Sequence, residues 1–265
     1  MNRIPQILNA GAGRKLLIPF FTVGYPDYRT SLDLVRIGLD AGADMVEMGM
    51  PFSDPMADGP DIQLSSQAAL AAGTNMRTVL RAVESVRKSS DAPLVLMGYY
   101  NPVLAYGTNR FVCDVARAGG DGLILPDLPV EEAGELRQAA KERSLSTVFL
   151  VAPTSSPERV KAIDRASTDF VYAVTVTGVT GGRSRFGPDT DNYLRTLRSM
   201  LRKPFVAGFG VSSPETARRL ARYADGVVIG SALIGTFRSA RTRMSGLRAV
   251  GRLLRSIRAA LQGRS

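Results

Sequence analysis

The feature that most constrains the fold is a regular alternation of short apolar runs and segments with helical spacing. Continuous apolar runs of this length are typical of strands that are buried on both faces. The runs predicted as strands cover residues 16–24, 45–49, 94–99, 122–125, 147–152, 169–175, 204–207 and 226–229. Eight strands, each followed by a helix, predict an α/β fold of the (β/α)8 TIM-barrel type. A doubly wound open sheet is the alternative, but it does not normally need eight evenly spaced units.

The intervening segments predict the helices and the domain organisation. Helical spacing covers residues 31–41, 62–72, 76–87, 111–118, 130–143, 157–166, 190–201 and 214–222, with a short lead-in helix at 4–8 and a loop at 101–102. We predict one barrel domain over residues 1–265, in which residues 236–265 form a basic helical extension. Its apolar stripe predicts packing on the barrel, with membrane-surface binding as the alternative: Leu247, Val250, Leu254, Ile257 and Leu261.

Charge is concentrated in that extension. The chain has 265 residues and a net charge of +10, and residues 236–265 hold eight arginines and no acid. Subtracting those eight charges from +10 leaves only +2 for residues 1–235. Basicity is therefore a property of the tail rather than of a nucleic-acid groove across the body, and we predict no nucleic-acid partner. A polar N-terminus, a single Cys113 and the lack of a long apolar run predict a cytoplasmic protein with no membrane partner.

The absence of histidine limits the catalytic mechanisms that the chain can use. The chain has no His, which excludes a Ser-His-Asp triad, an HExxH zinc site and a His general base. Its five lysines fall at strand starts or in helical stretches, so none suits a Schiff base at a strand end. A metal-dependent aldolase normally has His ligands, so we predict no metal site. Carboxylate acid–base catalysis is what remains.

The carboxylates fall into two groups according to their position along the predicted strands. In a (β/α)8 barrel the active site lies at the C-terminal ends of the strands. Four carboxylates stand at strand starts, where a role in stability is expected: Asp44, Asp121, Asp169 and Asp225. Four others stand at or beyond strand ends and are the catalytic candidates: Glu47, Asp54, Asp58 and Asp127.

A phosphate site is predicted from glycine-rich turns. Turns after strands six, seven and eight can present backbone N–H groups to a phosphate, as is usual for this fold. The residues that we assign to this site are Thr180, Gly181, Gly210, Gly230 and Ser231. The segment 177–187 is rich in glycine, and we predict that it forms a lid over the site.

Several motifs resemble the tryptophan synthase alpha chain family over nearly the whole chain up to about Gly235. They are EMGMPFSDPMADGP at 47–60, PFFTVGYP at 19–26, PDLP at 126–129, TGVTG at 177–181, GFGVSSPE at 208–215 and Gly230-Ser231. The resemblance implies a lyase of tryptophan biosynthesis, which cleaves indole-3-glycerol phosphate to indole and glyceraldehyde 3-phosphate.

The resemblance also implies roles for individual residues. Glu47 would move protons at indole C3 and at the glycerol hydroxyl, and Asp58 would hold the indole N–H. A mouth lined by aromatic side chains could raise the pKa of Glu47 toward neutrality. The implied substrate-binding residues are Phe20, Tyr99, Ile124, Tyr172 and Phe209. For Tyr172, Ile124 and Phe209 a purely packing role stays open.

The resemblance finally implies a partner. Asp54, Pro55 and Asn101 correspond to surfaces that meet a beta chain in an α2β2 tetramer, where indole passes to the beta chain. No cofactor is expected in this chain, because pyridoxal phosphate would belong to the beta chain. Two alternatives stay open: a stand-alone lyase that releases free indole, and a binding protein. The binding protein would be a weak activator of a beta chain or a tail-driven binder of nucleic acid or membrane.

Overall fold

A computed structural model describes residues 2–9, 13–175, 188–208 and 210–263. Within these ranges the strands form one sheet, and every pairing in it is parallel. The strands are β1 (Leu16–Thr22), β2 (Val46–Gly49), β3 (Leu94–Met97), β4 (Gly122–Ile124), β5 (Ser146–Val148), β6 (Leu150–Val151), β7 (Val171–Val174), β8 (Phe205–Gly208) and β9 (Gly226–Ile229). Their order in the sheet is β5-β4-β3-β2-β1-β9-β8-β7-β6.

The fifth predicted strand is divided at Phe149, which gives nine segments where eight strands are predicted. β5 pairs with β4 on one side, and β6 pairs with β7 on the other. The carbonyl of Phe149 accepts a hydrogen bond from the Tyr172 N–H at 3.1 Å, and its own N–H donates to Ser167 Oγ at 3.2 Å. One short segment therefore supplies both edges of the sheet, and the (β/α)8 barrel fold is confirmed.

Helices follow the strands around the sheet. They are α1 (Ile4–Asn9), α2 (Tyr28–Asp40), α3 (Pro60–Ala71), α4 (Met76–Arg87), α5 (Tyr100–Tyr106), α6 (Thr108–Ala118), α7 (Gly134–Glu142), α8 (Pro157–Ala166), α9 (Pro188–Met200), α10 (Pro214–Leu220), α11 (Ser231–Arg238) and α12 (Arg243–Leu261). Local caps set several starts, because a side-chain oxygen accepts an otherwise unpaired N–H of the first turn. Asp27 caps α2 and Asn75 caps α4 in this way. The predicted loop at 101–102 was wrong, since these residues lie in α5.

The core consists of two apolar clusters that share the strands. On β1, Leu16, Ile18 and Phe20 belong to a cluster inside the barrel, whereas Leu17 and Phe21 belong to the cluster that meets the helices. Successive side chains of a strand point to opposite faces, so both faces of β1 must be apolar. Helix α1 contributes fully buried Ile4 to the interior cluster.

Carboxylates at the strand starts hold neighbouring strands together. Asp44 accepts the N–H of Leu17 at 2.8 Å, and Asp121 accepts the N–H of Leu94 at 2.9 Å. Asp225 accepts the N–H of Phe205 at 2.9 Å. The fourth, Asp169, accepts from the hydroxyl of Ser146. These contacts agree with the structural role expected for all four.

Helix α12 packs against α2, α10 and α11. The five apolar residues of its predicted stripe are buried, which confirms that the stripe packs on the barrel. Arg258, also buried, donates to Asp44 Oδ2 at 2.6 Å and to the carbonyl of Lys15 at 2.7 Å. The end of the chain is thereby attached to the starts of β1 and β2. Among the described helices, none has the length and apolar character needed to cross a membrane.

Candidate active site

Glu47 lies in the middle of β2 and points into the barrel. It is paired with Phe20 on β1 and with Val95 on β3, and both of these residues belong to the interior cluster. Directly paired residues of a parallel sheet project to the same face, so the register directs the Glu47 carboxyl to the interior.

The Glu47 carboxyl is buried, and among the described residues no hydrogen bond offsets the loss of its hydration. Its side chain is 1% exposed, and neither Oε1 nor Oε2 has a hydrogen-bond partner among the described residues. Burial raises its pKa to about 8, because the charged form loses its hydration. At neutral pH this carboxyl is therefore mostly protonated and can act as an acid.

Asp58 lies on the loop between β2 and α3, and Tyr99 holds it in place. Tyr99 Oη donates to Asp58 Oδ2 at 3.1 Å and accepts the N–H of Ala57 at 2.9 Å. Burial raises the pKa of Asp58 to about 6, while the hydrogen bond from Tyr99 opposes that rise. Asp58 is thus mostly ionised at neutral pH, in contrast to Glu47.

Tyr172 on β7 belongs to the same interior cluster as Phe20, and the charges of both carboxyl groups act on its hydroxyl. Its pKa is raised mainly by burial and further by the negative charges of Glu47 and Asp58. Gly208 on β8 makes room for its ring: a Cβ at that position would stand 2.1 Å from the Tyr172 hydroxyl oxygen. A side chain there would displace the ring, so Gly208 sets the position of Tyr172.

Residues from several strands line a pocket beside Asp58. Its lining comprises Phe20, Thr22, Gly49, Met50, Asp58, Ile62, Ser66, Met97, Gly98, Tyr99 and Pro126. Sequence analysis identified Phe20, Asp58 and Tyr99 but missed Thr22, which follows from the two-residue period of a strand once Phe20 is placed inside. Gly49 is a second missed residue: a Cβ there would lie 2.4 Å from the Phe20 ring. Ile124 on β4 lies in the same interior cluster and is fully buried.

Two predicted phosphate-site turns are described. Gly210 has φ +84°, a left-handed conformation that favours glycine. Gly230 precedes α11, and Ser231 is the first residue of that helix, whose N-terminal N–H groups can bind an anion. Thr180, Gly181, Phe209 and the predicted lid 177–187 lie outside the described residues.

The remaining candidates lie around the same loop. Both oxygens of Asp127 accept the Tyr100 N–H, at 3.0 and 3.1 Å, so this carboxylate caps α5 rather than entering the pocket. Asp54 and Asn101 are exposed, whereas Pro55 is buried. The Pro55 carbonyl accepts the Asp58 N–H at 3.2 Å, which connects this proline directly to the Asp58 backbone.

Fold and site together define a class of protein. It is a (β/α)8 barrel that holds two carboxyls of different pKa, one inside the barrel and one on the loop beyond it, and such a pair is suited to acid–base chemistry. Within the described ranges, no cluster of three or more His, Cys, Asp or Glu side chains could hold a metal ion.

Sequence comparisons identify the particular family. A family profile described as tryptophan synthase alpha chain matches residues 8–261, and the chain belongs to this family. The tryptophan synthase alpha chain of Geotalea daltonii is 48% identical over 224 residues, covering 84% of this chain and 85% of that protein. The alpha chain of Caldanaerobacter subterraneus is 43% identical over 263 residues, covering 98% and 100%.

Structural comparisons agree with the family. A crystal structure of tryptophan synthase subunit alpha from Legionella pneumophila superposes with a TM-score of 0.91 at 35% identity and covers 99% of each chain. A Mycobacterium tuberculosis tryptophan synthase structure gives a TM-score of 0.88 at 38% identity over 98% of each chain. The chain therefore has the alpha-subunit role, and its family's reaction is the lyase cleavage of indole-3-glycerol phosphate.

Proposed function

We propose that Glu47 and Asp58 carry out the cleavage of indole-3-glycerol phosphate in this chain. The observation that carries the proposal is the buried Glu47 carboxyl, which has no hydrogen-bond partner among the described residues and a pKa raised to about 8. Such a group costs stability in a barrel strand. A proton shuttle accounts for it, since general acid–base catalysis works best when the pKa is close to the operating pH.

Glu47 moves two protons in the proposed reaction. Protonated Glu47 first donates its proton to indole C3, which leaves a positive charge on the ring. The resulting Glu47 carboxylate then accepts the proton of the glycerol hydroxyl on the carbon bonded to C3. That carbon becomes the aldehyde of glyceraldehyde 3-phosphate as its bond to C3 breaks, and the bonding electrons neutralise the ring. Glu47 ends the cycle protonated, so the proton balance closes.

Asp58 stabilises the cationic ring. Its pKa of about 6 leaves it mostly ionised at neutral pH, so its carboxylate accepts the indole N–H and offsets the positive charge. Tyr99 fixes one oxygen of Asp58 by the 3.1 Å hydrogen bond and leaves the other for substrate. Phe20 and Ile124 supply apolar contacts to the indole ring. Tyr172, whose pKa is raised further by the charges of both carboxyl groups, also contacts the substrate in this proposal.

The substrate phosphate binds where backbone N–H groups converge. Gly210 and the start of α11 at Gly230-Ser231 supply part of this site, and Thr180 and Gly181 complete it. Phe209 adds to the indole pocket in this proposal. The reaction needs neither a metal ion nor a cofactor from this chain.

A beta chain is the proposed partner, in an α2β2 tetramer in the cytoplasm. Asp54 and Asn101 present exposed side chains to that partner, and Pro55 transmits contact to Asp58 through its carbonyl. Pyridoxal phosphate belongs to the beta chain, which consumes the indole.

Carboxylate-to-amide variants test this mechanism. Glu47→Gln should lower kcat by roughly 10³-fold, because an amide cannot shuttle the proton. Asp58→Asn should lower it by roughly 10²-fold, because an amide supplies no charge. Indole release from indole-3-glycerol phosphate is the measurement, with circular dichroism to verify folding.

Asp127→Asn is the matched control. An Asn oxygen can still accept the Tyr100 N–H, so this variant should retain kcat within a few-fold. If Glu47→Gln or Asp58→Asn folded normally and kept most of its activity, the residue would not have the proposed role.

A further inference from the structure

We propose that the outer surface of α12 binds the phosphate backbone of nucleic acid without sequence preference. The surface, called here the arginine face, consists of Arg248, Arg252 and Arg255, all exposed. This proposal concerns an interaction that the lyase reaction neither uses nor explains, and it replaces the prediction from sequence that the chain has no nucleic-acid partner.

The three arginines share one side of the helix. Spacings of four and three residues place them within about 60° of the helix circumference and about 10 Å along its axis. The opposite side is buried, since Leu247, Leu254 and other apolar residues face the barrel. Because that side is packed against α2, α10 and α11, the arginine face is a rigid surface rather than part of a loose tail.

These arginines differ from their neighbours on the same helix in lacking partners. Arg243 pairs with Asp33, and Arg258 pairs with Asp44. Within the described part of the chain, by contrast, none of the three arginine side chains of the face forms an ion pair or a hydrogen bond. Like charges four residues apart on a helix repel each other, so Arg248 and Arg252 do not stabilise the helix by their pairing.

The elements around α12 carry further positive charge and few acidic residues to neutralise it. Helix α10 carries exposed Arg218, and exposed Arg222 follows its end. The acids of the adjoining helices are few: Glu215 on α10, and Asp33 and Asp40 on α2. Asp33 is already bound by Arg36 and Arg243.

This chemistry favours a polyphosphate backbone as the partner. Guanidinium groups bind phosphate oxygens in a bidentate manner, and duplex DNA presents about one negative charge per 1.7 Å of its axis. A 10 Å stretch of helix therefore faces roughly six charges. The face has no aromatic side chain to stack on bases or to insert into lipid, so contact with phosphates alone is expected.

The test is fluorescence anisotropy of a labelled duplex DNA of about 20 base pairs, titrated with the full chain at several salt concentrations. Three phosphate contacts predict a loss of affinity of about 40-fold between about 50 and about 200 mM salt. Replacing Arg248, Arg252 and Arg255 by Gln should abolish most of that salt dependence. Indole release by this triple variant should equal that of the wild type.

A charge-matched control distinguishes the effect of the arginine face on binding from the effect of net charge. Arg137, Lys141 and Arg165 are exposed cations on α7 and α8, and their replacement by Gln removes the same three charges. This control should bind DNA as the wild type does. Equal loss in both triple variants, no binding at low salt, or binding only to vesicles containing anionic phospholipid would overturn the proposal.

Discussion

At the scale of single residues, Glu47 and Asp58 show how environment separates two similar groups. Glu47 lies in a strand that is paired on both sides. Its carboxyl oxygens are buried, and they have no hydrogen-bond donor among the described residues. Asp58 sits on a loop and receives the Tyr99 hydroxyl. Their pKa values of about 8 and about 6 follow from this difference, and they favour opposite protonation states at neutral pH.

Glu47→Gln should change how stability depends on pH. Because the folded-state pKa of about 8 exceeds the ordinary 4.5, the folded chain binds this proton more tightly than the unfolded chain. The stability due to Glu47 is full below about 4.5 and is lost as pH rises to about 8. Relative to wild type, the variant should gain on the order of 5 kcal/mol between acid and pH 9.

Urea unfolding at several pH values measures this gain. Glu84→Gln on the exposed side of α4 is the control, and its difference from wild type should stay small throughout. A wild type and a Glu47→Gln variant with parallel pH profiles would contradict the raised pKa.

A second prediction at this scale concerns the glycine turn at the phosphate site. Gly210 and Gly73 both have positive φ, at +84° and +82°, so Ala at either position should cost about 1–2 kcal/mol of stability. Only Gly210→Ala should raise KM for the phosphate ester, because Gly73 links α3 and α4 away from that turn. Equal KM values for the two variants would remove Gly210 from the phosphate site.

At the scale of elements, the sequence predicts best what is encoded locally. The bounds of α4 were predicted correctly, since Asn75 caps a segment with a strong apolar period. Helix α5 was missed because its cap comes from Asp127, 27 residues further along the chain. The interruption at Phe149 was also missed, since it depends on which neighbouring strand each half of the segment contacts. Motifs likewise identified Glu47, but not that its carboxyl has no hydrogen-bond partner among the described residues.

The attachment of α12 gives a prediction for an element. Arg258→Met should destabilise the chain by about 3 kcal/mol, because it removes one partner of a buried ion pair and leaves Asp44 with fewer donors. Arg255→Met, three residues earlier and exposed, should change stability by less than about 0.5 kcal/mol. The urea midpoints of the two variants provide the comparison, and similar midpoints would argue against the anchoring role of Arg258.

At the scale of the whole molecule, the loop that carries Asp58 also carries Asp54, a proposed contact with the beta chain. Gln63 donates to the Asp58 carbonyl at 2.9 Å, and the Pro55 carbonyl accepts the Asp58 N–H. These bonds join Pro55, Asp58 and Gln63, so we expect a contact made at Asp54 to reposition Asp58. The single-domain organisation over residues 1–265 stays a prediction.

Two neighbouring variants should affect the response to beta chain differently. Asp54→Ala should raise the concentration of beta chain that is needed for half-maximal stimulation, since its exposed side chain is a proposed contact. Pro55→Ala should lower the maximal stimulation more than the basal rate, since positional errors near 1 Å cost about 10²-fold. Indole formation titrated with beta chain measures both. Equal losses with and without beta chain would mean that Pro55 shapes only its own loop.

The attachment of the chain's last helix to its first strands has a consequence for synthesis on the ribosome. Arg258 and Asp44 are 214 residues apart, and β1 takes β9 as one of its two neighbours. β1 is the first strand to be synthesised, and it can therefore complete its pairing only after β9 has been synthesised. Contacts of such long sequence separation form slowly. We expect the nascent barrel to stay open until β9 and α12 have been synthesised. A stalled or prematurely terminated chain would then expose unpaired strand edges, and it would aggregate or be degraded instead of forming a smaller working enzyme.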